Sequence, residues 1–280
     1  MPHYKILSLE VGYTETFPAD FTFDGYYLGG ETMFNPFSMT LLQGEGLNIL
    51  VDCGIDMDNP KKCEIYASSG SVNGHSPGEI LATVGLTTED IDAVILTHLH
   101  WDHASGLACY PKAKFYLQRE ELDGWTKIAA DSAYTAVFCR SFDPGDLEII
   151  SELDKQGRLV LLDSETDNLF PGISIRVSRM AHSFAQQMVL IKHDAGTHLI
   201  VGDVCNRPEN LTGTGDFPFF IPNPKFSVGS ALNAIEDYKR IMKWVDGDVN
   251  RVVITHDGTR HGRFPEHKTP LGLSFYEICL

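Results

Sequence analysis

The sequence predicts an α/β sandwich built as one domain, and three observations lead to this prediction. Apolar runs typical of buried strands recur along the chain, and four of them are followed closely by His or Asp. Stretches with the apolar spacing of amphipathic helices lie between these runs. A chain of 280 residues with 43% apolar content can bury a large core, so we expect residues 1–280 to form a single domain.

Alternation and apolar runs predict the strands, and capping residues and amphipathic spacing predict the helices. In the first half, Gln43-Gly44-Glu45-Gly46 joins two strands into a hairpin, and Pro77 after Ser76 is typical of the first turn of a helix. The predicted strands are Lys5 to Tyr13, Ser38 to Leu42, Leu47 to Asp52, Ala93 to Leu96, Lys114 to Leu117, Leu159 to Leu162, Ile173 to Val177, Met188 to Lys192, Thr197 to Gly202 and Arg251 to Thr255. The predicted helices are Ser76 to Val84, Arg119 to Val137 and Ser230 to Val245.

The most informative segment is His98-Leu99-His100-Trp101-Asp102-His103, which directly follows a predicted strand. His98 and His100 point the same way at a period of two, and Asp102 and His103 follow on the turn. The first pair can bind one metal ion and the second pair another, about 3.5–4 Å away. Imidazole and carboxylate without thiolate favour Zn²⁺, and Fe, Mn or Co also accept such donors. The alternative is a solvated His-rich turn, in which an aspartate among three histidines would have no packing role.

The pattern His98-x-His100-x-Asp102-His103 resembles the signature of the metallo-β-lactamase superfamily. This resemblance implies a four-layer αββα sandwich with a site for two divalent metal ions along one edge of the paired sheets. It also implies three further ligands in chain order, for which the chain offers His182, Asp203 and His256, each after a predicted strand. Asp203 would bridge the two ions.

Each of these three residues also has a simpler interpretation. A lone histidine after a strand, such as His182, is usually a surface residue. Asp203 could cap the turn before Pro208, because Asp favours such positions. His256 is followed by Asp257, and such a pair is costly to bury unless it is used. The upstream motif favours the metal role for all three.

Other titratable residues are expected outside the ligand set. Asp52-Cys53-Gly54 resembles the family's Asp-x-Gly turn, in which the aspartate supports the ligands from behind. Cys205, two positions after Asp203, is expected to be buried beside the site, with direct metal binding as the alternative. The remaining histidines, expected in turns or at polar strand faces and not assigned to metal, are His3, His75, His193, His198, His261 and His267.

Composition excludes several classes of function. A net charge of −16 argues against a nucleic-acid partner, which needs clustered Lys and Arg. No apolar stretch approaches the roughly 18–20 residues of a membrane helix, and Met1-Pro2-His3-Tyr4-Lys5 does not begin a secretory signal, so no membrane contact and a cytoplasmic location are expected. The six cysteines form no CxxC pair, so reduced thiols are expected.

The full ligand set and a Phe-rich amino-terminal segment resemble the lactonase branch, which includes the N-acyl-homoserine lactonases and 4-pyridoxolactonase. This resemblance implies ring opening of a small lactone, as in quorum quenching, by attack of a metal-bound hydroxide, with Asp102 passing a proton to the leaving alkoxide. Alternatives on the same site are hydrolysis of a cyclic amide, thioester or β-lactam. An alternative of another class is a metal-dependent redox or binding protein. The aromatic segment, expected at the substrate mouth or else in the core or a homodimer surface, comprises Phe17, Phe21, Phe23, Tyr26, Tyr27, Met33, Phe34 and Phe37.

The chain departs from its relatives at two places. Where they have a Gly-rich Thr-Pro-Gly-His-Thr turn, this chain has Met180-Ala181-His182-Ser183. Homoserine lactonases also place a tyrosine shortly after the bridging aspartate to polarise the lactone carbonyl, and this chain has none there. Asn206 or Arg207 could donate instead, or the metal could act alone.

Overall fold

The computed structural model describes residues 2–23, 30–138, 140–193, 196–215, 220–222 and 228–280. The strands in these ranges are β1 Tyr4–Pro18, β2 Thr32–Gly44, β3 Leu47–Val51, β4 Ala93–Ile95, β5 Lys114–Gln118, β6 Leu159–Leu162, β7 Thr166–Phe170, β8 Ile173–Arg179, β9 Ala185–His193, β10 Gly196–Ile200, β11 Val252–Val253, β12 Glu266–Lys268 and β13 Ser274–Cys279. The α-helices are α1 Pro60–Ser68, α2 Pro77–Ala82, α3 Trp101–Ala104, α4 Arg119–Ala129, α5 Ser132–Phe138, α6 Gly145–Lys155, α7 Pro208–Thr212 and α8 Ala231–Trp244.

The strands form two sheets. The larger has the order β12-β13-β1-β2-β3-β4-β5-β6, and the smaller has the order β11-β10-β9-β8-β7. In the larger sheet β3, β4, β5 and β6 are parallel neighbours, so their carboxyl ends lie along one edge. In the smaller sheet β10 and β11 are also parallel. Parallel strands bring distant parts of the chain together at the same edge of a sheet.

Three apolar clusters show how the sheets and helices are layered. Side chains of the larger sheet, such as Ile6 and Ile95, pack with Ile175 and Val189 of the smaller sheet in a cluster between the two sheets. A second cluster joins the opposite face of the larger sheet to its helices, and a third joins the smaller sheet to α8. Helix, sheet, sheet and helix therefore follow in order, and the predicted α/β sandwich is confirmed.

Strand β1 shows how the sequence creates this layering. Successive side chains of a strand point to opposite faces. Ile6 accordingly faces the layer between the sheets, whereas Leu7 and Leu9 face the layer of helices. The pairing of β1 with β13 shifts in register between Ile6 and Leu7. Both faces are buried, so the strand is apolar along most of its length. Of the described helices, none is long and apolar enough to cross a membrane.

Several elements differ from the sequence-based prediction. The predicted helix from Arg119 to Val137 is two helices, because Asp131 accepts a hydrogen bond from Ala133 N at 2.8 Å and starts α5. Helix α1 was not predicted, although Asn59 caps it and Pro60 opens it. His193 and His198 were expected at polar faces, but both are buried. The described cysteines are unpaired, as expected, and Cys139 lies outside the described residues.

Candidate metal centre

The histidine motif lies at the carboxyl end of β4. The strand ends at Ile95, His98 and His100 follow on a buried loop, and Asp102 and His103 lie in the first turn of α3. The short helix changes the direction of the chain directly after His100. This change allows four side chains within six positions to face one region.

The other three predicted residues also follow strands. His182 lies on the turn between β8 and β9, Asp203 follows β10, and His256 follows β11. The parallel pairing of β10 with β11 places Asp203 and His256 at the same edge of the smaller sheet. The structure thus brings all seven residues predicted from the sequence to one place.

These residues form two overlapping clusters of donor atoms. His98, His100, His182 and Asp203 form one cluster, in which the ligand atoms all lie within 4.8 Å of one another. His100 Nδ1 and His182 Nε2 are 3.0 Å apart, and His182 Nε2 is 3.6 Å from Asp203 Oδ2. We call this group of four the first cluster.

The second cluster contains Asp102, His103, Asp203 and His256, with ligand atoms again within 4.8 Å of one another. His103 Nε2 is 3.2 Å from Asp203 Oδ1, and His256 Nε2 is 3.2 Å from Asp203 Oδ2 and 3.3 Å from Asp102 Oδ2. Asp203 belongs to both clusters, which is the position required of a bridging carboxylate.

Unpaired donor atoms show that these clusters fit metal ions. His98 Nε2 and His100 Nε2 are buried and make no hydrogen bond. Buried polar atoms normally have partners, because leaving one unpaired costs about 1–3 kcal/mol. Convergent imidazole nitrogens and carboxylate oxygens around a common centre are ligands that Zn²⁺ and neighbouring transition metals accept. The residues present therefore fit two divalent ions.

The protonation states favour metal binding by the first cluster. Burial, together with the nearby His103, lowers the pKa of His98 well below its usual value, and burial lowers the pKa of His182 to about 4. These imidazoles are therefore neutral near pH 7, which is the form that binds metal.

The second cluster carries opposite charges. Burial opposes protonation of His103, but the carboxylates of Asp203, Asp102 and Asp52 raise its pKa well above the usual value. Burial likewise opposes protonation of His256, and Asp203 and Asp102 raise its pKa to about 9. The protonated imidazoles of His103 and His256 are paired here with carboxylates. A bound divalent cation would replace the protons on these imidazoles.

Hydrogen bonds behind the ligands fix their orientation. Asp52 Oδ2 accepts from His103 Nδ1 at 2.7 Å, and Asp52 also accepts from Thr97 N at 2.7 Å. His256 Nδ1 donates to Pro36 O at 2.8 Å. Each bond leaves Nε2 of the histidine aimed at the centre. Asp52 therefore lies where the resemblance to the family implied, outside the ligand set.

A cavity of about 520 Å³ opens onto both clusters. Its apolar wall includes Phe17, Phe21, Phe37, Ile65 and Trp101, and its polar wall includes Thr14, Asn35, Ser68, Ser69, Arg140, Ser141 and Asn206. Of the predicted aromatic segment, Phe17, Phe21 and Phe37 line the cavity, Phe23 is buried elsewhere, and Tyr26 and Tyr27 lie outside the described residues.

The structure separates the two donors proposed to replace the missing tyrosine. Asn206 lines the cavity, whereas Arg207 is buried away from it and donates to Phe34 O. Cys205 is buried and belongs to neither cluster, and burial raises the pKa of its thiol well above the usual value.

Asn35 and Arg140 are among the lining residues that had not been singled out from the sequence. Asn35 is buried, and its Oδ1 has no hydrogen-bond partner. Arg140 is the only Lys or Arg among the described residues that line the cavity. Asn35 Nδ2 lies 3.3 Å from His256 Nδ1. The two residues are 221 positions apart in the sequence, so no local pattern could have predicted this contact.

Comparison with known proteins agrees with this geometry. A profile described as the metallo-beta-lactamase superfamily matches residues 35–241, well over half of the chain. A probable metal-dependent hydrolase from Staphylococcus aureus has a similar structure, with a TM-score of 0.69 at 19% identity over 91% of this chain and 89% of that chain. A mutant of B. thuringiensis AiiA with N-decanoyl-L-homoserine bound at the active site gives a TM-score of 0.65 at 19% identity over 92% of this chain and 95% of that chain. AidC, a dizinc quorum-quenching lactonase, gives 0.69 at 15% identity over 99% and 95%. The profile match over this length shows that the chain belongs to the metallo-β-lactamase superfamily.

Proposed function

We propose that this protein is a dinuclear metal-dependent hydrolase that opens the ring of a small lactone, an N-acyl-homoserine lactone or a related cyclic ester. The observation that carries the proposal is the pair of donor clusters sharing Asp203 in the wall of one cavity. The core shared by both sheets supports a single domain over residues 1–280.

We assign the seven residues as ligands of two ions. His98, His100 and His182 would hold one ion, Asp102, His103 and His256 would hold the other, and Asp203, which belongs to both clusters, would serve both ions. Nitrogen and oxygen donors without thiolate favour zinc. Two such ions, when bound, supply a water of lowered pKa as nucleophile and a Lewis acid for the carbonyl oxygen.

The side chains of the cavity perform the remaining steps. Asp102 lines the cavity, so its carboxylate would take the proton that the attacking water loses and pass it to the departing alkoxide. Asn206 can donate a hydrogen bond to the developing oxyanion, the role left open by the missing tyrosine. Phe17 and Phe21 provide an apolar surface for an acyl chain or ring. Their place at the cavity favours the substrate mouth over a dimer surface as the role of this segment.

The size of the cavity fits this class of substrate. Sites for small molecules typically measure about 300–1,000 Å³ and combine apolar walls with a few polar groups. The cavity of about 520 Å³ has this composition. A lactone with a side chain of modest length would fit within this volume.

Proton release tests the proposal. Zinc-loaded protein is presented with lactones of different ring size and side chain, and a chelated sample is the control. Rapid acid production that the chelator abolishes is expected for at least one lactone. His103→Ala should lose this activity, and His75→Ala, which changes a histidine outside both clusters, should keep it.

Other results would redirect the proposal. Silence on all lactones with two ions bound would argue against ring opening of esters. It would favour a thioester, to be tested by release of the thiol, or a cyclic amide or β-lactam, to be tested by formation of the ring-opened product, because the amine set free can take up the proton. A coloured iron protein that consumes oxygen would exclude hydrolysis and favour the redox alternative.

A further inference from the structure

Glu121 is a fully buried carboxylate on α4 that the ligand set does not use. Among the described residues it forms no ion pair with Lys, Arg or His. Burial raises its pKa, and hydrogen bonds from Ala185 N, Ser183, Trp125 and Leu99 N oppose that rise. A buried carboxylate is costly unless its oxygens are hydrogen-bonded. The hydrogen bonds of Glu121 therefore have to account for a carboxylate at this buried position.

Three of the four donors to Glu121 come from the two loops that carry the first cluster, and the fourth, Trp125, lies on α4 itself. Leu99 N, between His98 and His100, donates to Oε1 at 3.1 Å. Ser183 Oγ, next to His182, donates to the same oxygen, and Ala185 N donates to Oε2 at 2.8 Å. Trp125 Nε1 donates to Oε1 at 2.8 Å.

These bonds set the distance between the two loops. One carboxylate joins the backbone beside His100 to the turn beside His182, and these histidines bring nitrogens to within 3.0 Å of each other. The Trp125 ring packs edge-on against His100, with ring centroids 5.4 Å apart. A change at Glu121 would therefore be transmitted to both histidines.

The second cluster has separate supports. Asp52 holds His103, and Pro36 O holds His256. Neither support contacts Glu121 or its four donors through a described hydrogen bond. The two clusters meet through Asp203, through the packing of His98 against His103, and through Thr97, whose Oγ1 lies 3.0 Å from Asp52 Oδ2 and 2.9 Å from His98 Nδ1.

We propose that Glu121 is a positioning residue for the first cluster: it holds the loops of residues 98–100 and 182–185 at the separation at which His98, His100 and His182 bind one metal ion. The proposal rests on the dinuclear site described above. It predicts that the affinities for the two ions respond differently when Glu121 is changed.

Metal stoichiometry tests this selectivity. Zinc-loaded wild-type protein and Glu121→Gln are titrated with a competing chelator, and Co²⁺-loaded samples are compared by absorption spectroscopy. The glutamine keeps the size of the side chain but turns an NH₂ group towards at least one of the four donors. We expect one ion to bind about tenfold or more weakly and the other to keep its affinity. The Co²⁺ spectrum should lose the contribution of one site only.

Two further variants keep the test decisive. Glu10→Gln is the matched control, because Glu10 is a buried glutamate that is hydrogen-bonded to Ser274 N and belongs to neither cluster, and this variant should bind both ions as wild type does. If Glu121→Gln does not fold, Ser183→Ala removes a single donor and should weaken the same ion severalfold. The proposal would be overturned if Glu121→Gln bound both ions with wild-type affinity, or if it lost both ions equally. If Glu121→Gln does not fold, the same two results in Ser183→Ala would overturn it. Fewer than two ions in the wild type would instead refute the dinuclear site.

Discussion

The hydrogen bond between Asp52 and His103 allows a change that alters charge and leaves shape almost intact. Asp52 has a positive φ of 64°, a conformation that asparagine also tolerates well, so Asp52→Asn adds little backbone strain. In the wild type, Oδ1 accepts from Thr97 N at 2.7 Å, and Oδ2 accepts from His103 Nδ1 at 2.7 Å. Both oxygens are therefore required as acceptors.

An amide cannot satisfy both donors. If its oxygen stays on Thr97 N, its NH₂ group faces His103 Nδ1, and the imidazole must carry its proton on Nε2. That nitrogen is the one aimed at Asp203 and would no longer bind metal. If the amide turns over, its NH₂ group meets Thr97 N–H instead. Loss of such an outer partner typically costs about 10–100-fold in metal affinity, which is about 1.4–2.7 kcal/mol.

Chelator titration of the zinc-loaded protein measures this effect. We expect Asp52→Asn to bind one ion as wild type does and the other about 10–100-fold more weakly. Asp92→Asn is the control, because Asp92 accepts from Asn48 N at 2.8 Å but contacts no ligand. Two ions bound with wild-type affinities would refute the reasoning, and so would selective loss of the ion held by His98, His100 and His182.

Three further predictions concern the cavity and the fold. Asn206→Leu should lower kcat on a lactone about 10²–10³-fold with both ions retained, and an unchanged kcat would remove Asn206 from the mechanism. Arg140→Gln should raise KM about two- to fivefold for a lactone that carries a carboxylate and leave KM for its methyl ester unchanged; equal effects on both would contradict an electrostatic role. Burial, together with His193 and Arg251, lowers the pKa of His198 to about 4, below the value of about 6.5 in the unfolded chain, so unfolding takes up a proton in this range and stability falls as pH drops from 6.5 towards 4. Urea unfolding at pH 7 and pH 5 should show a smaller loss for His198→Gln than for wild type, and an equal loss would contradict it.

The positions of the candidate ligands could be predicted from the sequence because each group of them follows a strand. Buried strands have a recognisable apolar pattern, and the carboxyl ends of parallel strands meet at one edge of a sheet. His98 after β4 and His256 after β11 are examples of this local rule. The rule does not require knowledge of which strands are neighbours, so it succeeds without the topology.

The supports of the ligands could not be predicted in this way. Glu120 and Glu121 are adjacent on α4, yet Glu120 is exposed and pairs with Arg179 at 2.7 Å, whereas Glu121 is buried against two ligand loops. Helical spacing alone does not predict that Glu121 hydrogen-bonds to the ligand loops and Glu120 does not, because Leu99 and Ala185, which donate to Glu121, lie 22 and 64 positions away in the sequence. Strands β12 and β13 were missed for a similar reason, since β13 is placed by its pairing with β1, and the edge strand β12 by its pairing with β13, and not by a local apolar pattern.

The turn that carries His182 shows how a departure from the family pattern is accommodated. Met180 adopts a positive φ of 52°, and its N–H donates to Ser183 O at 3.0 Å, so a tight turn forms without glycine. The start of α8 holds this turn from outside, because Ser230 N donates to Met180 O at 2.8 Å. Gly229 packs directly against the carbonyl of Ala181.

Gly229→Ala should therefore act on the metal site from outside it. A Cβ at this position would overlap the carbonyl oxygen of Ala181 and lie 2.7 Å from His182 N, so the turn has to move. Because His182 belongs to the first cluster, we expect one ion to bind about tenfold more weakly while the ion held by His103 and His256 is unaffected. Gly78→Ala is the control, since its Cβ would meet only Thr88 at an ordinary 3.9 Å. Unchanged zinc affinity in Gly229→Ala would show that His182 does not depend on the position of this turn.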